Sequence, residues 1–265
     1  MKAFVLITGA SEGIGLELAK VFAAHGHNLL LVARRGTLLK KTATSLQKQF
    51  KVDAKTFICD LSLQKNIEGL MEYINTNSLN IEILINNAGA GDFSLFSESV
   101  PQRNNQLIDL NIKAVVHLTH RIIPLMIKAG KGRILNVASV AAFAPNPFIA
   151  VYAASKSFIL NFSHAIGAEL KGQNVQVSVL CPGDTKTGFQ RNAGLGKFDV
   201  HEALTAGELA NYTYAKFITE GETEIIPPQN RQVIDMIRKT SNLVLLSANF
   251  FKMRQKLAAK LSTNK

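Results

Sequence analysis

Cysteine is scarce in this chain, metal-ligand clusters are missing from it, and no apolar run approaches the thickness of a bilayer. Its two cysteines, Cys59 and Cys181, cannot build a disulfide framework. Each ends an apolar run, where a buried free thiol in a reducing compartment is the expectation. The six histidines are scattered without ligand spacing, so no metal site is expected. No stretch nears the roughly 20 apolar residues of a membrane span, and the amino terminus enters a strand pattern at once, so neither a membrane span nor a signal peptide is expected. A cytoplasmic location is therefore expected. Linkers are lacking as well: strand and helix patterns alternate from Lys2 to about Pro228 with no Pro/Ser-rich break, repeat or low-complexity tract. One domain over residues 1–228 follows, within a chain of 265 residues that is long enough for a core needing no staples.

Acidic residues are the last shortage, with 19 Asp+Glu against 30 Lys+Arg and a net charge of +11. The excess is uneven, because residues 229–265 alone carry +7. No recognition motif accompanies this charge, so nucleic-acid binding is not expected. The tail alternates Val233, Met236, Ile237, Leu243 to Leu246, Phe250, Phe251, Met253, Leu257 and Leu261 with basic residues, as an amphipathic helical hairpin would. Residues 229–265 are read as a helical extension of the same domain that covers the substrate pocket or a subunit contact, in preference to a peripheral contact with anionic lipid.

What the chain does contain begins at its first strand pattern. The apolar run Phe4 to Ile7 leads into Thr8-Gly9-Ala10-Ser11-Glu12-Gly13-Ile14-Gly15, and helical spacing follows through Leu16, Leu18, Ala19, Phe22 and Ala23. This is a strand, a glycine turn and a helix. Gly9 suits the tight turn, and Gly13 and Gly15 let the loop, with Ser11, Glu12 and Ile14, approach a pyrophosphate at the helix start. A second apolar run, Asn28 to Ala33, completes a β-α-β unit. An NAD site would place an acid after that strand to hold the ribose 2′-hydroxyl. This chain has Arg34 and Arg35 instead, and guanidinium forks suit a 2′-phosphate, so NADP(H) is the expected cofactor. Asp60, beside Leu61 at the end of a third run, is placed to accept from the adenine amino group. A fourth run, Ile81 to Ile85, ends in Asn86-Asn87-Ala88-Gly89, where small residues let the backbone pass beneath the cofactor.

Tyr152 and Lys156 lie four residues apart, on one face of a helix. Lowering a phenol's pKa by about two to three units takes roughly 3 to 4 kcal/mol. One ammonium about 4 Å away, at an effective dielectric of about 20, supplies that much. The pair is expected to act as a proton donor at neutral pH.

Taken together, Thr8-Gly9-x-x-x-Gly13-x-Gly15, Asn86-Asn87-Ala88-Gly89, Asn111, Ser139, Tyr152-x-x-x-Lys156 and Pro182-Gly183 resemble the short-chain dehydrogenase/reductase family in order and spacing, over roughly residues 2–228. The resemblance implies an α/β fold: a single-domain, Rossmann-type, doubly wound parallel sheet of about seven strands with helices on both faces, plus the C-terminal helical extension. It also implies that Tyr152 gives a proton to a carbonyl oxygen while NADPH delivers hydride to the carbon. Ser139 would polarise the carbonyl, Lys156 would lower the Tyr152 pKa and hold the nicotinamide ribose, and Asn111 would hold a water in a proton relay. Pro182-Gly183 would turn the chain, Thr187 would contact the nicotinamide carboxamide, and Thr185 would add a backbone contact. A homodimer or homotetramer would form through residues 101–130 and 150–172.

Substrate choice is expected to rest on a mobile lid over residues 188–206. Phe189, Leu195 and Phe198, with Phe143, Pro147 and Phe148, would line an apolar pocket for a lipid-like or aromatic ketone, whereas Arg191 and Lys197 would favour a carboxylate or acyl thioester. The functional expectation is an NADPH-dependent carbonyl reductase, reversible as an alcohol dehydrogenase, acting on a small or lipid-like ketone or a 3-oxoacyl substrate. The alternatives are an NADP(H)-sensing binding protein without turnover, since fold does not fix function, and an isomerase on the same scaffold.

Overall fold

The computed structural model describes residues 2–194, 203–240 and 242–263. The apolar runs of the sequence form strands β1 (Ala3–Thr8), β2 (Asn28–Ala33), β3 (Ala54–Ile58), β4 (Asn80–Asn86), β5 (Gly132–Val137) and β6 (Val175–Leu180). With the short β9 (Glu224–Ile225) they make a seven-stranded sheet in the order β3-β2-β1-β4-β5-β6-β9. Every pairing in it is parallel. Burial on both faces explains why these strands read as near-continuous apolar runs instead of alternating ones.

Two hydrophobic layers sandwich the sheet. On one face α1 (Gly13–Ala24), α2 (Gly36–Phe50) and α8 (Ala206–Tyr214) contribute Phe22, Leu39 and Leu209 to one cluster. On the other, α3 (Gln64–Thr76) and α5 (Ala114–Lys128) contribute Ile67, Leu70, Leu118 and Ile122. The long α6 (Ala150–Glu169) lies beside α5 and supplies Ile159 and Leu160 to a third cluster, which also takes in Ile226 and Ile234. The strand order reverses between β1 and β4, and their carboxyl ends open the crevice in which such sheets collect ligands.

A buried polar chain ties this central region together. Asn86 donates to Thr119 Oγ1 at 3.0 Å and to Asn136 Oδ1 at 2.8 Å, and Asn136 donates to Ser163 Oγ at 2.9 Å. It joins β4 and β5 to α5 and α6, and a fully satisfied buried network of this kind fixes one packing among several apolar ones.

After β6 the chain departs from the repeating pattern. The two-residue strands β7 (Thr185–Lys186) and β8 (Leu204–Thr205) pair with each other, and α7 (Phe189–Asn192) is a single turn between them. Residues 195–202 of the expected 188–206 lid, including Leu195, Lys197 and Phe198, lie outside the described residues, and Ala206 already begins α8. The tail forms the expected helix pair, α9 (Pro228–Lys239) and α10 (Leu243–Thr263). Among the described residues no helix is long and apolar enough to cross a membrane.

Candidate active site

The loop between β1 and α1 is built around Gly9, whose φ of +68° places it in the left-handed region. A Cβ there would stand 2.8 Å from Asn87 Nδ2 and 2.9 Å from the Ala88 Cα. A Cβ on Gly15 would collide with Asn87 Nδ2 and the Gly9 carbonyl. The two glycine-bearing segments named by the sequence are thus packed against one another. Thr8 staples them, with its Oγ1 accepting from the N–H groups of Asn87 at 2.9 Å and Ala88 at 3.0 Å. The amino end of α1 has no side-chain cap, so its first N–H groups and positive dipole end are left for an anion.

Arg34 and Arg35 stand at the end of β2 with side chains 68% and 54% exposed. Arg34 pairs with Asp60 at 3.5 Å and Arg35 with Glu12 at 2.6 Å. Exposed pairs like these are worth little, so both guanidinium groups can turn to a phosphate. Burial pushes the Asp60 carboxyl upward, but hydrogen bonds from Ser62 and the Arg34 guanidinium outweigh it and hold Asp60 below its usual value. Its Oδ1 accepts from Ser62 N at 3.0 Å and Ser62 Oγ at 2.8 Å, so Asp60 is a loop-forming residue as well as part of the cleft wall.

Arg34, Arg35, Asp60 and Leu61, beyond β2 and β3, and Ser139, Tyr152 and Lys156, at and beyond β5, line one cleft of about 580 Å³. Gly9, Gly13, Pro182, Gly183 and Thr187 are also in its wall, with Thr187 against Gly13. Ser11, Glu12, Ile14, Asn87, Ala88, Gly89 and Thr185 complete that wall, while Gly15 and Asn111 stand behind it.

Ser139 lies just beyond β5 and caps a 3-10 turn over Val140–Phe143, its Oγ accepting from Ala141 N at 3.1 Å. Lys156 Nζ donates to the Val137 carbonyl at 2.8 Å and lies 5.8 Å from the centre of the Tyr152 ring. Asn111 sits in a π turn over Asp109–Lys113 between α4 (Pro101–Ile108) and α5, a local widening common at functional sites. Its amide donates to Ala90 O at 2.9 Å and Ser155 Oγ at 3.0 Å, and accepts from Ala90 N at 2.9 Å, so it clamps the loop after β4 to α6.

One electrostatic expectation is corrected. Burial pushes the Tyr152 phenol up to about 12, with Ser139 opposing and Asp184 adding to the rise. Lys156 does not offset this, because burial lowers the lysine itself to about 8 and its ammonium is turned to Val137 O. Spacing along a helix reports the Coulomb attraction between the two groups but not the desolvation of either. Both cysteines are free; Cys181 is buried, whereas Cys59 is only half-buried and lines the cleft. Burial raises each thiol to about 12.

The expected apolar lining is also corrected. Phe189 borders the cleft, its ring 5.5 Å from that of Tyr152. Phe143 instead lies under the Arg238 guanidinium at 4.9 Å, and Phe148 stacks between Phe93 at 5.4 Å and Phe251 at 5.6 Å. The missing wall comes from the extension: Val233, Ile237, Phe250, Met253 and Arg254. The amphipathic period of the tail was its only sequence signal, and it marks an apolar face without saying what that face meets.

Comparison with known proteins agrees with this geometry. Residues 3–197 match the family model for short chain dehydrogenases. A very-long-chain 3-oxoacyl-CoA reductase of Laccaria bicolor is 31% identical over 180 residues, which are 67% of this chain and 53% of that protein. The chain thus spans about half the length of such curated relatives. Among solved structures, a short-chain dehydrogenase from Sphingobium yanoikuyae in complex with NADPH superposes with a TM-score of 0.81 at 32% identity, covering 89% of this chain and 94% of that one. A bulky-bulky ketone specific alcohol dehydrogenase from Comamonas testosteroni gives a TM-score of 0.77 at 31% identity, covering 89% and 92%. The protein belongs to the short-chain dehydrogenase/reductase family of oxidoreductases.

Proposed function

We propose that this protein is an NADPH-dependent reductase of a lipid-like or bulky ketone or a 3-oxoacyl substrate, reversible as an alcohol dehydrogenase. The observation that carries the reading is the single cleft that holds Ser139, Tyr152 and Lys156 at one end and Arg34 and Arg35 at the other. The glycine cradle and uncapped α1 fit a pyrophosphate, and two weakly paired guanidinium groups fit a 2′-phosphate. Similarity to an enzyme bound to NADPH and to a bulky-ketone dehydrogenase points the same way.

When bound, the nicotinamide supplies the hydride. The chain supplies the rest. Tyr152, kept protonated at neutral pH by burial, donates its proton to the carbonyl oxygen as negative charge develops there. Ser139 Oγ offers that oxygen a second hydrogen bond from a rigid turn. Lys156, still mostly protonated at neutral pH with its pKa near 8, would hold the ribose hydroxyls and stabilise the phenolate left behind. Asn111 holds the loop after β4 in register with α6.

Tyr152→Phe tests the reading. With a carbonyl panel running from hydroxyketones to long-chain acyl thioesters, wild-type protein is expected to oxidise NADPH in preference to NADH. The variant is expected to lose roughly a thousandfold in kcat/KM while its NADPH affinity stays near the wild-type value. Tight NADPH binding with no turnover anywhere in the panel would favour the sensing alternative, and product without net NADPH oxidation would favour an isomerase.

A further inference from the structure

We propose, resting on the reductase reading above, that Arg254 receives an anionic group, such as a carboxylate, carried by the carbonyl substrate, so that the helical extension selects substrates by charge.

Long cationic side chains on a surface helix ordinarily reach outward to water. Arg254 of α10 turns inward and lines the same cleft as Tyr152 and Lys156. Its Nε is buried without a hydrogen-bond partner. Its guanidinium lies 5.8 Å from the centre of the Phe93 ring, which backs one face. The one acceptor it meets among the described residues is Asn146 Oδ1, at a long 3.5 Å. That oxygen is aimed by the rest of its amide, since Asn146 Nδ2 donates to Ala141 O at 3.2 Å and Ala144 O at 2.7 Å. Of the five N–H donors of the guanidinium, the one on Nε is buried away from water with no acceptor, which is unfavourable until one arrives.

The charges around it make that acceptor an anion. Among the described residues no carboxylate lies within ion-pair distance of Arg254. Asp92, in the cleft wall, is engaged by Ser94 Oγ at 2.9 Å and Arg103 at 3.2 Å. Asp184, also in the wall, influences Arg254 without forming an ion pair with it. Lys156, the other cation near the reaction centre, is turned to Val137 O. Burial shifts the Arg254 guanidinium below its ordinary value, with Asp184 opposing. A planar fork answers a carboxylate through two parallel hydrogen bonds, which a neutral ester cannot reproduce. Val233, Ile237, Phe250 and Met253 of the extension line the cleft together with this group, so a fitting substrate has an apolar body between its carbonyl and its anionic end.

The test uses oxo acids of graded chain length and their methyl esters, with full-length wild-type protein, Arg254→Met and Arg254→Lys. Wild type is expected to prefer one or more acids to their esters. Arg254→Met should raise KM for those acids about 10- to 100-fold and leave ester kinetics within about twofold. Arg254→Lys, which keeps the charge but loses the fork, should fall between them. Calorimetric binding of the corresponding hydroxy acids, with melting curves to confirm that each variant folds, gives a readout apart from turnover. Equal use of acids and esters by wild type, an equal KM rise for both in Arg254→Met, or no binding of any acid would overturn the proposal. Binding of a hydroxy acid that Arg254→Met abolishes, without reduction of any ketone, would uphold the role of Arg254 and sink the reductase reading instead.

Discussion

The two ends of the cleft are built by different means. The cofactor end is mostly backbone, a glycine turn packed against the loop after β4 and an uncapped helix start, with two exposed arginine side chains at a strand end. The catalytic end is walled by side chains from α9 and α10, beyond the residues 3–197 that match the family. The contrast shows how one scaffold keeps its chemistry while changing its substrate. The first end tolerates almost no added atom, whereas the second can be re-lined without disturbing the sheet.

Breaking the cofactor end should have the largest effect. Gly15→Ala places a methyl group on Asn87 and the Gly9 carbonyl. Overpacking of this kind should destabilise the protein by about 3 kcal/mol and abolish measurable NADPH binding; a melting curve with and without NADPH checks both.

The next effect sharpens the comparison at the junction of the two ends, where Lys156 is buried with a pKa near 8 against an ordinary 10.5. Between those values the unfolded state binds more protons than the folded state, so stability should rise with pH across that window by about 3 kcal/mol from this group. Tyr152, raised to about 12 from 10, acts in the opposite sense above pH 10. Denaturant unfolding of wild type and Lys156→Met from pH 8 to 10 should therefore show a rise in wild type that the variant lacks.

Arg34→Ala with Arg35→Ala should weaken NADPH binding on the order of 100-fold while leaving NADH nearly unchanged, as fluorescence titration would reveal. The smallest change is expected at Val244, 82% exposed on α10 and outside the cleft wall. Val244→Ser should alter stability by less than about 0.5 kcal/mol and leave kinetics alone, which separates the inner face of the extension from its outer one.

Much of this could be read from the chain because it depends on short-range rules. Parallel strands buried on both faces require apolar runs, a close phosphate loop requires glycine, and a helix sets Tyr152 and Lys156 on one side, so the sheet, the cofactor loop and the catalytic cluster are legible as patterns. Three outcomes needed the folded molecule. The Tyr152 pKa rises because desolvation depends on everything packed around the phenol, which spacing along a helix does not report. The π turn at Asn111 sets one side-chain amide between the loop after β4 and α6, partners far from it in sequence. Arg254 meets Asn146 across 108 residues of sequence. Local pattern alone carried the strands, the glycine loop and the identity of the chemical groups. Their protonation, and which of the tail's basic residues turned inward, follow from the folded molecule, because desolvation and long-range packing are properties of the assembled core.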